Sequence, residues 1–286
     1  MSKKDVAEWH KEQYMTDTRH SNKEEEEKKI DRSPSAKAIH DVIFEEAESE
    51  LARPSANLFW SGLAAGLSMG FSMFTEGMLE SYMPEENWTI LVSSFGYSVG
   101  FVIVILGKQQ LFTENTLTPI LPLLHDKTLK KFWNVMRLWG VVLFANLLGA
   151  LIVGLVTAHT PAFTPNELKA FAKIGHTALE PGFATVLLRG IFAGWLIALM
   201  VWLLPSAGKA RILIIILITY VVGIGHFSHV IAGAVEMFTL AAMEERSWGD
   251  VIIYYIIPSL IGNILGGVIL VAAINHAQIK SGKKEV

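Results

Sequence analysis

Six long apolar runs dominate the chain, at approximately 56–83, 89–124, 132–158, 182–204, 211–242 and 250–276. A helix needs roughly 20 apolar residues to cross the hydrocarbon of a bilayer, so each run predicts a transmembrane span. The second and fifth runs are longer than one crossing requires, and both are interrupted. The second contains Gly107, Lys108, Gln109 and Gln110, then Thr113 to Thr116, then Pro119 and Pro122. The fifth contains Gly223, Gly225, His226, Ser228 and His229. Lipid cannot satisfy free backbone N–H and C=O groups, so breakers at this depth predict non-helical backbone facing a cavity. Ahead of the runs, Ile39, Val42, Ile43, Ala47 and Leu51 recur at helical spacing behind Ser33, Pro34 and Ser35. They predict an amphipathic helix over 33–53, lying on the membrane surface or against neighbouring loops.

Charge sharpens this division. Residues 1–50 hold nine Lys/Arg and fourteen Asp/Glu, whereas only 18% of the whole chain is charged. Residues 1–32 include four successive glutamates, Glu24 to Glu27, and predict a disordered charged head. Mean hydropathy is +0.40 and 51% of residues are hydrophobic, too apolar for one water-soluble domain. The net charge of −3 gives no sign of nucleic-acid binding, and the absence of cysteine excludes disulfides and thiolate metal sites. No charged-then-apolar leader is expected, so the span beginning near residue 56 is expected to act as the insertion signal.

Positive charges set the expected orientation. Lys127, Lys130 and Lys131 follow span 2, Lys209 and Arg211 precede span 5, and Lys280, Lys283 and Lys284 lie in the tail 278–286. These loops are expected to be cytoplasmic, with both termini inside a cell membrane. The halves of the body also resemble each other. Gly62 and Gly66 parallel Gly190 and Gly194, Phe112-Thr113 parallels Phe227-Ser228, and Asn146 and Gly149 parallel Asn263 and Gly266. Three spans per half is an odd number, so the second copy must be inverted. The fold class is therefore all-α: a polytopic membrane protein with six transmembrane helices in an inverted 3+3 repeat, 54–277, with helices 2 and 5 broken.

Ionisable groups at membrane depth are the candidates for chemistry. His229, inside the fifth-span break, could attract an anion or protonate a weak acid, or could tie two helices together. His226 lies three residues earlier, but without cysteine or an HExxH pattern the pair does not predict a metal site. Lys108, Glu114, Arg189 and Glu236 are expected to be paired structurally, with Lys108 and Glu114 able to join across the span-2 break. No nucleotide-binding or hydrolase motif is present, so neither an ATP-driven pump nor an enzyme is expected, and no cofactor.

Several of these elements together resemble the formate/nitrite transporter family. They are Leu111-Phe112-Thr113 in a broken second span, Arg189 to Trp202 in the fourth, Phe227 to Ala232 in the fifth, and Gly262 to Gly267 in the sixth. The stretch Lys108 to Thr116 looks most like the family's YfdC-type branch. The resemblance implies an aquaporin-like fold in a homopentamer, with one anion path per subunit. It implies that His229 is the central pore histidine and Thr113 the threonine of the interrupting loop. Asn263 matches an asparagine that can bond that histidine, and Tyr97, Phe101 and Val222 align with apolar constrictions. There are departures: Gly194 replaces an expected asparagine, Ser228 replaces an acid, and the vestibule lysine has only Lys173 as a candidate.

The expected function is passage of a small monovalent anion, such as formate or nitrite, either passively or with a proton. Two other functions stay open on sequence: a channel for water or a small polyol, and a non-conducting sensor or scaffold. The paired Asn-Pro-Ala half-helix starts of aquaporins are missing, which counts against the first. The acidic head and the departures keep the second open.

Overall fold

A computed structural model describes residues 35–273; the expected head 1–32, the first two residues of the expected helix start and the tail 278–286 lie outside the described residues. The compact body begins at Ile39. Helix α1 (Ala36–Ala52) starts where the Ser35 hydroxyl accepts the Ala38 N–H at 3.2 Å. Ile43, Ala47 and Leu51 form its buried stripe. Pro54 then leads into α2 (Ser55–Tyr82), the first span.

The second span is split. Helix α3 (Thr89–Leu106) is followed by a hook, a 3-10 turn at Glu114–Thr116, and the short α4 (Ile120–Asp126). Helix α5 (Leu129–His159) is the third span, and the Thr128 hydroxyl caps it by accepting the Lys131 N–H. After it come α6 (Pro165–Leu179), in the loop between spans 3 and 4, and α7 (Phe183–Leu203), the fourth span. The fifth span is split into α8 (Arg211–Ile224) and α9 (Val230–Ala242). The sixth, α10, begins at Trp248–Val251 under a Ser247 cap. It runs on through a π-helical stretch (Ile252–Ile256), an α-helical stretch (Ile257–Leu265) and a second π-helical stretch (Gly266–Ala273). Five helices are long and apolar enough to cross a membrane by length and composition, and the broken fifth span completes the six-span body.

Helix α6 was not expected. Thr164 and Glu167 form a reciprocal capping box at its start, so the donors exposed there are satisfied. Ala170, Phe171 and Gly175 are buried. Phe171 packs in an aromatic group with Phe74 and Phe163, at ring centroid distances of 5.8 and 5.0 Å. Helices α1 and α6 mark the two faces of the membrane body, an α1 side and an α6 side.

Small residues hold the spans together at two related places. A Cβ at Gly66 would overlap the Asn146 carbonyl, and one at Gly194 would overlap the Asn263 carbonyl. Gly149 lies against the Gly66 backbone, and Gly266 against Ile191 and Gly194. Without a hydrophobic drive between helices in lipid, such backbone contact supplies the association. Large apolar side chains face outward instead, including Phe71 at 49%, Phe144 at 62% and Leu217 at 57% exposure. In water this surface would aggregate; it suits lipid or a neighbouring subunit.

Gly194 thus cannot take the asparagine that the family resemblance led one to expect without separating spans 4 and 6. Gly194→Ala is expected to destabilise the protein by about 1–3 kcal/mol, in the range of overpacking. At Gly140 a Cβ would meet nothing within 4 Å. Gly140→Ala should therefore leave the unfolding temperature in lipid or detergent unlowered, and an equal loss in both variants would contradict the packing argument.

Candidate functional site

The site is built from two hooks that end the first half of each broken span. In the first, Gly107, Lys108 and Gln109 N–H groups bond the carbonyls of Ile103, Ile105 and Val104. In the second, Gly225, His226 and Phe227 repeat this pattern on Val221, Gly223 and Val222. Lys108 and His226 both take the left-handed conformation, at φ +50° and +48°. This is the left-handed cap that ends a helix by satisfying its last carbonyls, here without the usual glycine. The correspondence revises the expected repeat register. Phe112 matches Val230, and Leu111 matches His229, so the expected match of Phe112-Thr113 to Phe227-Ser228 is out of register. The two Phe-hydroxyl pairs are alike in sequence only, because backbone bonding fixes the register.

Behind each hook stands an asparagine on the neighbouring span. Asn146 Oδ1 accepts the Phe112 N–H at 2.8 Å, and its amide donates to the Gly62 and Gln110 carbonyls at 2.7 and 2.9 Å. Asn263 Oδ1 accepts the Val230 N–H at 2.8 Å, and its amide donates to the Gly190 and Ser228 carbonyls, both at 2.8 Å. Both asparagines are fully buried. Asn263 therefore does not bond the imidazole of His229, as its family match implied. It fixes the backbone on either side of that residue, and its amide is committed to doing so.

His229 caps α9 from this pinned position. Its Nδ1 accepts the Ala232 N–H at 3.1 Å, and its Nε2 lies 2.7 Å from Thr113 Oγ1. A backbone N–H can only donate, so Nδ1 carries no proton. In the neutral ring the proton is then on Nε2, which donates to the Thr113 oxygen. The threonine hydroxyl proton has no acceptor among the described residues, so it is available to a third group. Thr113 and His229 come from the two different breaks, and both are fully buried. The structure thus brings together two of the expected site residues and places the third behind them.

Apolar residues close around this pair. The Phe101 ring meets the His229 ring edge-on at 4.9 Å, and Tyr97 packs on Phe101 at 5.3 Å. Val222 is fully buried in α8. Gly233 allows close approach of the Tyr255 ring from α10, where a Cβ would collide with the hydroxyl.

The charged candidates fall elsewhere. Lys108 is exposed, Glu114 has a buried oxygen without a partner, and the two form no ion pair. Arg189 and Glu236 likewise form none among the described residues, so structural pairing fails for all four. The reason is placement: the left-handed turn points Lys108 out of the hook, while Glu114 lies inside it. A different group holds the first break. Gln110 donates to Glu50 of α1 at 3.0 Å, and Thr118 donates to the same carboxylate at 3.2 Å. Burial pushes the Glu50 carboxyl up from its ordinary value, against those two bonds. Trp139 Nε1 donates to the Asn115 carbonyl at 2.7 Å and secures the far side of the loop.

Lys173, the candidate vestibule charge, lies on α6 and lines a cavity of about 640 Å³ on that side. Its ammonium pairs with Glu80 at 2.7 Å and Glu85 at 3.7 Å. The Glu80 bond holds its pKa above the ordinary lysine value. Glu76, Ser93 and His226 also line this cavity. Glu76 sits within the first apolar span and escaped notice in the sequence, although an acid in such a run is itself a signal. His226 and His229 do not form a metal-binding group; none of that kind occurs among the described residues.

A family profile described as formate/nitrite transporter matches residues 37–277. The chain is 40% identical over 266 residues to "Inner membrane protein YfdC" of Escherichia coli (strain K12), covering 91% of this chain and 86% of that one. Two solved structures share its fold. "Pentameric formate channel with formate bound" superposes with a TM-score of 0.70 at 21% identity, covering 79% of this chain and 98% of that one. "FNT family ion channel" gives 0.73 at 16% identity, covering 84% and 98%.

The pinning asparagines make a direct prediction. Asn263→Leu removes three buried hydrogen bonds and orphans the Ser228 carbonyl and the Val230 N–H, while the Gly190 carbonyl keeps its place in the α7 helix. Each orphaned group costs about 1–3 kcal/mol, so the variant is expected to lose at least about 2 kcal/mol of stability. Asn146→Leu should behave alike. Chemical denaturation in detergent checks both, and wild-type stability in either would contradict the assignment.

Proposed function

The chain belongs to the formate/nitrite transporter family, a family of membrane channels and transporters rather than enzymes, and from this we propose that it passes small monovalent anions such as formate or nitrite. The path runs through the centre of each subunit, past the Thr113–His229 pair. The observation that carries this reading is the direction of the hydrogen-bond chain. The Ala232 N–H fixes Nδ1, Nε2–H donates to Thr113, and the threonine hydroxyl is left as a donor in an apolar layer. A lone donor there favours a solute that brings its own acceptor oxygens. The N-terminus of α9 points its positive dipole end at the same place, which also favours an anion.

Tyr97, Phe101 and Val222 form the constrictions. They exclude hydrated cations, because apolar walls offer nothing in place of the hydration shell. Asn263 and Asn146 act as positioning residues. The protein is a multi-pass membrane protein, and we place it in a cell membrane with the α1 side toward the cytoplasm, following Lys127, Lys130, Lys131, Lys209 and Arg211. Assembly into homopentamers follows the solved pentameric relative and provides cover for part of the exposed apolar surface.

Reconstitution into liposomes tests the reading. Wild-type protein is expected to conduct formate and nitrite but not glycerol. Thr113→Val and His229→Ala remove the donor chain, and each is expected to lower anion flux about tenfold, the equivalent of one charge-assisted hydrogen bond. Unchanged flux in both variants would remove the pair from the mechanism. Glycerol conduction without anion flux would overturn the substrate class.

A further inference from the structure

The α6-side half of the proposed path holds two carboxyl groups that neither packing nor ion pairing explains. Glu236 lies on α9, two turns beyond His229, and is only 6% exposed. It makes no hydrogen bond and no salt bridge among the described residues. Glu76, on α2, lines the 640 Å³ cavity. The Glu236 charge reaches Glu76, and both reach Tyr97 of the constriction. They therefore stand between the cavity and the apolar layer.

The surrounding charges do not neutralise them. On α2, Glu80 also acts on Glu76, with the same sign. On α6, Lys169 also lines the cavity and is bonded to neither carboxyl, while Lys173 is bonded to Glu80 and Glu85. On α7, Arg189 acts on His226 and Tyr255, and His226 in the hook lines the cavity. On α10, Tyr255 lies within range of Glu236 but carries no charge to offset it. On α5, no titratable group acts on either carboxyl. Two carboxylates in a low-dielectric site, with no cation bonded to either, repel each other and are poorly solvated. The stable arrangement is one proton on the pair.

We propose that Glu76 and Glu236 hold one proton between the two of them and hand it to weak-acid anions entering from the α6-side cavity. The solute then passes the Tyr97–Phe101–His229 layer as a neutral acid. In the transfer, an O–H bond of the carboxyl pair breaks and an O–H bond forms on the solute's carboxylate or nitrite oxygen. The pair is left fully ionised until water in the cavity returns a proton to it. His229 cannot supply this proton by cycling through its imidazolium, because a proton on Nδ1 would face the Ala232 N–H that now donates to it. The imidazole and Thr113 then serve as hydrogen-bond donors, and the carboxyl pair serves as the acid. The inference rests on the anion-path reading above.

Two measurements on the full-length protein in lipid test it. In liposomes, wild-type formate uptake should rise as the pH on the α6 side falls, after subtraction of protein-free vesicles. Glu236→Gln and Glu76→Gln should each lose that pH dependence, whereas His229→Ala should lose flux and keep its pH dependence. If wild type conducts and both glutamine variants keep the wild-type pH profile, the carboxyl pair is not the proton source. If wild type conducts no weak acid at all, the anion path itself fails, and infrared spectroscopy still decides the proton. It should show a protonated-carboxyl C=O stretch near neutral pH that disappears in Glu236→Gln or Glu76→Gln. Absence of that band from wild type would overturn the proposal whatever the flux.

Discussion

Breaking a helix inside a membrane frees backbone groups that lipid cannot bond, and everything at the centre of this protein depends on how they are satisfied. Two buried asparagines do it. Asn146 and Asn263 each bridge a neighbouring helix carbonyl to the N–H and carbonyl that flank the residue in the break. The glycines beside them follow from the same need. Spans 1 and 3, and spans 4 and 6, must approach until the Asn backbone touches the facing glycine, or the amides would not reach. The hooks, the left-handed Lys108 and His226, and the capping imidazole of His229 are all set by this scaffold.

The scaffold is repeated, but the residue it displays is not. The same geometry presents Leu111 from one half and His229 from the other. At the matched position the second break therefore presents a polar side chain and the first an apolar one, and the first break's own polar group, Thr113, reaches the layer from two residues past Leu111. The second halves differ too. Residues 230–242 form a regular helix whose N-terminal end meets the site, whereas Pro119 and Pro122 leave the equivalent stretch as a 3-10 turn and a short helix. An inverted repeat has thus become one site with a defined polarity: a donor pair at the centre and acids toward the α6 side.

The architecture was legible because each span is long and apolar, and the breaks are marked by glycine, proline and polar clusters. Thr113, Asn263, Tyr97, Phe101 and Val222 follow from family resemblance; His229 stands out without it, as an ionisable group inside a broken span. Helix α6 was missed because Lys169 and Lys173 made its segment look like a polar loop. Its start signals, Thr164, Pro165 and Glu167, were present in the sequence. The repeat register was misassigned because it resides in backbone bonds, which leave no trace in side-chain identity. The pairing expected for Glu236 failed for a related reason: sequence shows that a charge is in a span, but not which way a neighbouring helix turns its own charges. Glu76 and Glu236 lie on different helices, α2 and α9, and no sequence spacing links them.

The central claim is that His229 works as a fixed neutral donor, held by Asn263 and the Ala232 amide and aimed at Thr113. The nitrogen-15 magic-angle-spinning spectrum of the histidine-labelled protein in lipid tests it most directly, with His229→Gln used to assign the ring. The bonding predicts a bare Nδ1 and a protonated Nε2 throughout the physiological pH range, with and without formate. A His229 ring protonated on both nitrogens, or carrying its proton on Nδ1, would contradict it.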